Sequence, residues 1–241
     1  MIYEKGKVKL IKRSVFLGIF FIITNFTTIS LFKNIEYKNL SLSGAEFITI
    51  DDITQNSSLK LPMRLILIKT KLIEKELTEN MSLKKVSVNR QLFPFELKIN
   101  MKTREPIAFA EKISNGKKVT GFIDEEGIFI NKKFLPNVDQ SIFTINISGW
   151  EKEYKIIISK ILKTYKNNKD LSKINISDGF IILVEKDLNK ILLGYEKTNI
   201  DEKLNLILDI KNQLKNQKLQ KKIKSLDLTD LSNPKLKVFI P

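Results

Sequence analysis

The chain of 241 residues carries 42 Lys and Arg against 27 Asp and Glu, a formal net charge of +15, and it has no cysteine and no histidine. Those two absences exclude a disulfide framework, cysteine or histidine nucleophile and base chemistry, and the common zinc sites, so only carboxylate, lysine, serine or tyrosine chemistry stays open. The basic excess has three readings: genome composition, attraction to anionic lipid or envelope polymer, and nucleic acid. The charge is spread along the chain without arginine-rich runs interleaved with aromatics, which speaks against the last.

Residues 14–32 contain no charged side chain. At about 1.5 Å of rise per residue, a helix of that length covers roughly 30 Å, the thickness of a bilayer's hydrocarbon core. Thr24, Asn25, Thr27, Thr28 and Ser30 lower its hydrophobicity, but such side chains can bond back to helix carbonyls. Lys5, Lys7, Lys9, Lys12 and Arg13 precede the run against one acid, Glu4, whereas only Lys33, Glu36 and Lys38 follow closely. Basic flanks stay on the cytoplasmic side, so residues 1–13 read as a cytoplasmic tail and the remainder as lying outside, in type II topology. A cleaved signal peptide would want small residues in an A-x-A-like pattern, which residues 29–32 lack. The expectation is an uncleaved anchor in membrane lipid, followed by enough chain for two domains.

The first stretch beyond the span reads as β-α-α-β-β. Residues 36–44 alternate through Leu40 and Leu42 and end at Gly44, as a strand and turn do. Residues 47–55 read as a brief helix capped by Thr49 or Asp51, where the acids Asp51 and Asp52 complement the helix dipole rather than form a catalytic pair. Ile68, Leu72, Ile73 and Leu77 recur at helical spacing across residues 65–80. Two strands follow, 83–90 through Val86 and Val88, and 95–104 through Leu97, Ile99, Met101 and Thr103, with Pro94 at the turn between them. The alternation stops at Arg104 and Pro106, because proline ends ladder pairing, and these two residues read as the junction between a domain over 36–106 and a second over 107–241.

In the second region, residues 121–130 read as a hairpin whose tip, Asp124, Glu125 and Glu126, is solvated and closed by Gly127. One contiguous acidic triplet lacks the convergent ligands of a cation loop. Leu135 and Pro136 read as entry to a linker. Residues 151–166 show the clearest helical stripe, Tyr154, Ile157, Ile158, Ile161, Leu162 and Tyr165. Residues 173–177, 180–186 and 190–193 read as an antiparallel meander turning at Asp178-Gly179 and near Asn189. Asp201 is expected to cap a helix reaching about residue 217 with Leu204, Ile207, Leu208 and Leu214, and residues 223–228 to form another strand. Residues 235–241 read as the last strand. Leu236, Val238 and Ile240 would face one side of it, Lys235, Lys237 and Phe239 the other. One side of this strand is expected to be an open edge whose N–H and C=O groups can receive a partner's strand, with Lys235, Leu236, Lys237, Val238 and Phe239 as the binding residues.

The run from residue 86 to 109, VSVNRQLFPFELKINMKTREPIAF, resembles the POTRA region of the bacterial division family FtsQ/DivIB. Its Val-x-Val-x-Arg strand, aromatic-Pro turn, alternating strand and Arg-x-Pro motif stand in the family's order at Val86, Val88, Arg90, Phe93, Pro94, Arg104 and Pro106. Thr103 stands where the family often has glutamate, and Met81 where proline is frequent. Further on, the Asp-x-x-Gly turn at Asp124, the Leu193-Gly194 strand end, and Asp227-Leu228 also resemble the family, with Thr229 where arginine is usual. The resemblance implies an α+β fold: a transmembrane helix, a POTRA-like module, then a mainly antiparallel β domain with two flanking helices. It implies a scaffold rather than an enzyme, set in the bacterial inner membrane at the division septum. Its partners would be FtsB/FtsL-type bitopic proteins linked to septal wall synthesis, with no cofactor, nucleic acid or small-molecule substrate. The alternative is a POTRA component of envelope biogenesis or secretion that binds client β-strands, although such systems usually carry several POTRA copies and a barrel.

Overall fold

The apolar run lies in α1, Ile2–Phe32, in a computed structural model that describes residues 2–114, 116–166, 170–195, 199–217 and 223–239. Among the described residues one helix is long and apolar enough to cross a membrane, Val15–Phe32, with mean hydropathy 2.1 and only 6% of that window buried. Its apolar side chains thus pack against almost nothing in their own chain. The polar side chains within it are satisfied locally, as Thr24 and Thr28 donate to the carbonyls of Phe20 and Thr24 at 2.9 and 2.7 Å, and Asn25 donates to Phe21 at 2.9 Å. Hydroxyls bonded this way lose little on leaving water.

The chain divides into two compact units, Met1–Thr103 and Arg104–Pro241. In the first, β1 (Asn34–Ile35) pairs antiparallel with β3 (Met63–Arg64), and a separate sheet has the order β2-β5-β4. There β2 (Leu40–Ser43) runs parallel to β5 (Glu96–Lys102), and β4 (Lys85–Gln91) runs antiparallel to it. Alternate residues Val86, Val88, Leu97, Ile99 and Met101 are buried, as a sheet with one covered face requires. The helix α2 (Ile50–Asn56) begins at Thr49, whose hydroxyl accepts from the Asp52 N–H while the Asp52 carboxylate accepts from the Thr49 N–H, a reciprocal cap. The helix α3 (Thr70–Asn80) packs along β4, and the Glu74 carboxylate accepts from the Val88 N–H at 2.9 Å.

Two expectations shift here. The helix over 65–80 begins only at Thr70, because β3 is committed to pairing with β1 and the Leu65 N–H donates to the Lys33 carbonyl at 3.1 Å, which leaves Leu65–Leu67 as a 3-10 turn. Leu72, assigned to the buried stripe, is 41% exposed, while Ile68, Ile73 and Leu77 are buried. The strand expected over 36–44 is limited to β2, after a 3-10 turn at Tyr37–Asn39.

The second unit is built on one nine-stranded sheet in the order β14-β13-β12-β11-β10-β9-β6-β7-β8. Its strands are β6 (Ala108–Ser114), β7 (Lys117–Ile123), β8 (Phe129–Asn131), β9 (Asn146–Ser148), β10 (Leu171–Ser177), β11 (Phe180–Glu185), β12 (Asn189–Gly194), β13 (Ile223–Asp227) and β14 (Lys235–Val238). Pairing is antiparallel except that β9 runs parallel to both β6 and β10, and β12 parallel to β13. The helices α4 (Lys155–Thr164) and α5 (Ile200–Gln217) supply the rest of the core. All six residues of the apolar stripe read at α4 are buried, Tyr154 and Tyr165 among them. The fold is therefore mixed α+β with a mostly antiparallel sheet, and the meander β10-β11-β12 stands as read from the sequence.

Three features differ from the sequence reading. The strand β6 begins two residues after Pro106, and its buried positions are alanines, Ala108 and Ala110, whose small side chains give a weak hydrophobic pattern. The expected linker after Pro136 returns to the sheet as β9, three residues with one buried apolar side chain, Ile147. Asp201 lies one residue inside α5 rather than at its cap.

Candidate functional site

A partner's strand can be received only where a sheet ends in unpaired backbone. The strand β14 pairs with β13 through Val238 opposite Ile223, Lys237 opposite Ser225, Leu236 opposite Leu226 and Lys235 opposite Asp227. Among the described residues no strand pairs with its other side. All four of its side chains are exposed; Leu236 and Val238 are 43% and 52% accessible. Phe239 follows the strand rather than belonging to it, at 53% accessible, and Ile240 and Pro241 lie outside the described residues. Apolar side chains beside an unpaired ladder of N–H and C=O groups are the chemistry that strand addition uses.

The edge is held by the connection before it. Leu228 is fully buried and donates its N–H to the Leu192 carbonyl at 2.8 Å, and Asp227 accepts from the Thr229 N–H and hydroxyl at 3.0 and 2.7 Å. These bonds, the hydroxyl first, hold the Asp227 carboxyl below the usual carboxylate range, with Lys235 and Lys237 adding to the effect. Asp230 accepts likewise from the Ser232 N–H and hydroxyl at 2.9 and 2.6 Å, so the turn into β14 is stitched twice by side chain to backbone bonds.

Further into the sheet lies a buried charge cluster that the sequence did not reveal. Lys211 of α5, with its side chain 3% exposed, meets Asp170 at 2.8 Å, the fully buried Glu185 at 2.9 Å and Asp187 at 3.6 Å. Burial works against the charged ammonium, but the hydrogen bonds and charges of Asp170 and Glu185 outweigh it and raise the lysine's pKa. Tyr165, also beside this cluster, has its phenol pushed up by burial and then by the Glu185 charge. Another α5 lysine, Lys203, is buried and donates to the Leu193 carbonyl at 2.6 Å. The positions Lys203, Ile207, Lys211 and Leu214 fall at helical spacing on one buried face. That alignment with Leu214 and Ile207 was the only signal that two of the lysines point inward.

The other residues singled out from the sequence have structural settings. Arg104 is buried and pairs with Asp124 at 2.6 Å and Glu126 at 2.9 Å within the second unit. Asp124 is therefore not at a solvated tip as expected: its carboxylate is buried and also accepts from the N–H groups of Glu126 and Ile128, whereas Glu125 and Glu126 are exposed. Gly127 closes that turn at φ +76°, where an added Cβ would lie 2.1 Å from the Lys155 carbonyl oxygen. Pro106 stands between Arg104 and β6. In the first unit, Val86 and Val88 are core residues, the Arg90 guanidinium donates to the Ile68 carbonyl, and Pro94 is exposed in the turn between β4 and β5.

Residues 36–104 match the family described as POTRA domain, FtsQ-type. Residues 36–104 are thus similar to an FtsQ-type POTRA domain, and an apolar helix precedes them. No curated protein matches the chain. The match covers residues 36–104 alone, and the FtsQ-type description belongs to that domain.

Proposed function

We propose that this chain is a single-pass division scaffold of the bacterial inner membrane, with its N-terminus in the cytoplasm and both units outside. At the septum it would bind FtsB/FtsL-type bitopic proteins and tie them to septal wall synthesis. The observation that carries the reading is the FtsQ-type POTRA domain set directly behind one apolar helix. The exposed edge of β14 supplies the contact: a partner's strand adds to it through main-chain hydrogen bonds, and Leu236, Val238 and Phe239 set the preference for side chains. Lys235 and Lys237 discourage indiscriminate pairing. Arg104 and Pro106 are assigned to the domain junction and Val86, Val88, Arg90 and Pro94 to the POTRA fold, not to ligand contact.

Two observations in cells test this. A fluorescent fusion should concentrate at midcell; even labelling of the whole envelope would favour the secretion reading instead. Because the chain has no cysteine, a single cysteine at Ser43 should react with an impermeant reagent applied from outside and one at Gly6 should not. Reaction at Gly6 alone would overturn the topology.

A further inference from the structure

The first unit has two poles, and several contacts fix which one meets the end of α1. The Leu65 N–H donates to the carbonyl of Lys33, the residue directly after the helix. The Lys33 ammonium lies 4.9 Å from the centre of the Phe95 ring, and Asn39 donates to the Phe95 carbonyl at 3.4 Å. Arg90, one residue before the end of β4, donates to the Ile68 carbonyl. The 3-10 turn Leu65–Leu67 and the turn between β4 and β5 therefore stand at the end of α1. The start of β4, at Lys85 opposite Lys102, lies one strand length away, roughly 20 Å for seven residues.

The near pole is apolar in a way that nothing in the unit explains. Leu67 is 62% exposed, Phe93 85% and Tyr37 51%, although Leu59, Leu65, Leu77, Leu83 and Leu97 of the same unit are buried in its core. Around them stand the exposed cations Lys33, Arg64 and Lys69, while Lys38 is paired with Glu36 at 2.9 Å. The far pole instead presents Lys84, Lys85 and Lys102, with one exposed large apolar side chain, Phe47 at 42%, just after the end of β2. Aromatic and apolar side chains ringed by lysine and arginine match the headgroup layer of an anionic bilayer.

We infer that Leu67, Phe93 and Tyr37 seat in the outer headgroup layer of the bilayer that α1 spans, with Lys33, Arg64 and Lys69 on its phosphates. The patch is continuous with the span through the Leu65–Lys33 hydrogen bond, so the lipid surface is the occupant within reach. The POTRA unit then stands upright on the membrane, held at both the span and the patch. This inference rests on the membrane reading of α1.

The test uses the full-length chain in vesicles of phosphatidylcholine and phosphatidylglycerol, with single cysteines introduced as Ile22→Cys, Leu67→Cys, Phe93→Cys or Lys85→Cys and labelled with an environment-sensitive fluorophore. Labels at 67 and 93 should show blue-shifted emission, quenching by nitroxide carried near the lipid headgroups and protection from aqueous iodide; the label at 85 should show none of these. The label at 22 reports the span separately: if it is not in hydrocarbon, the membrane reading itself fails. If 22 is in hydrocarbon but 67 and 93 are as open to iodide as 85, the patch does not touch lipid and the inference is overturned. A shift at 67 and 93 that needs an added partner protein would also overturn it, in favour of a protein contact.

Discussion

The two ends of the nine-stranded sheet are built in opposite ways. At one end β8 is three residues long, Phe129 and Ile130 are buried, and Asn131 leads at once into a 3-10 turn in which its side chain accepts from the Lys133 N–H. The hairpin beside it is pinned by Arg104 on Asp124 and by the Trp150 indole donating to the Gly127 carbonyl at 3.0 Å. At the other end β14 exposes every side chain, and what holds it is backbone pairing to β13 and the stitched turn before it. On the proposed function, the contrast predicts two kinds of residue: those whose loss unfolds the second unit, and those whose loss leaves it folded but weakens partner capture.

The largest effect is expected at Lys211. Replacing it by alanine leaves Glu185 buried without its cation, and breaking a buried pair this way costs about 3–5 kcal/mol. Urea unfolding of Lys211→Ala should show that loss, and Lys211→Met combined with Glu185→Met should recover most of it. The sign of the pH dependence follows from the raised lysine pKa: its contribution is complete at neutral pH and is lost only as pH rises past the ordinary lysine range. Arg104→Ala should cost somewhat less, about 3 kcal/mol, because Asp124 is buried but the second partner, Glu126, has a side chain 54% exposed and can be solvated.

At the free end the expectation reverses. Phe239→Ala should leave circular dichroism and urea midpoint unchanged, since the ring is 53% exposed, yet weaken capture of an FtsB/FtsL-type partner by about 2 kcal/mol, roughly thirtyfold. A loss of stability there would break the contrast. The smallest effect is at Thr229→Ala, which removes one of the two bonds to Asp227 and should cost about 1 kcal/mol. Because Asp227 is held below the ordinary carboxylate range, that contribution should be present at neutral pH and vanish as pH falls through the lowered value. Unfolding of wild type and variant should therefore converge in acid.

The sequence is most readable where burial is periodic and apolar. The α4 stripe, the β10-β11-β12 meander and the alternation of β4 and β5 all follow from side-chain spacing, because each has one covered face lined by branched aliphatics. It is least readable where the sheet is closed by small or charged groups. The alanines of β6 and the three residues of β9 carry too little apolar signal, and they are the strands that join the two halves of the sheet. Asp124 reads as solvated and nothing in the sequence singles out Lys203 or Lys211, because a charge alone does not announce its partner, and those partners sit ten or more residues away in sequence. In α1 the agreement has a different cause, since a bilayer-length run without charge is legible with no tertiary partner at all.

The central claim is that β14, and not β8, receives the partner's strand. A photoreactive amino acid placed at Leu236 or Phe239, or at Asn131 beside the opposite edge, and irradiated in dividing cells that carry a tagged FtsB/FtsL-type counterpart, tests it most directly. The account predicts adducts with that counterpart from 236 and 239 and none from 131. Adducts from 131 with none from 236 or 239, while the protein still gathers at midcell, would contradict it.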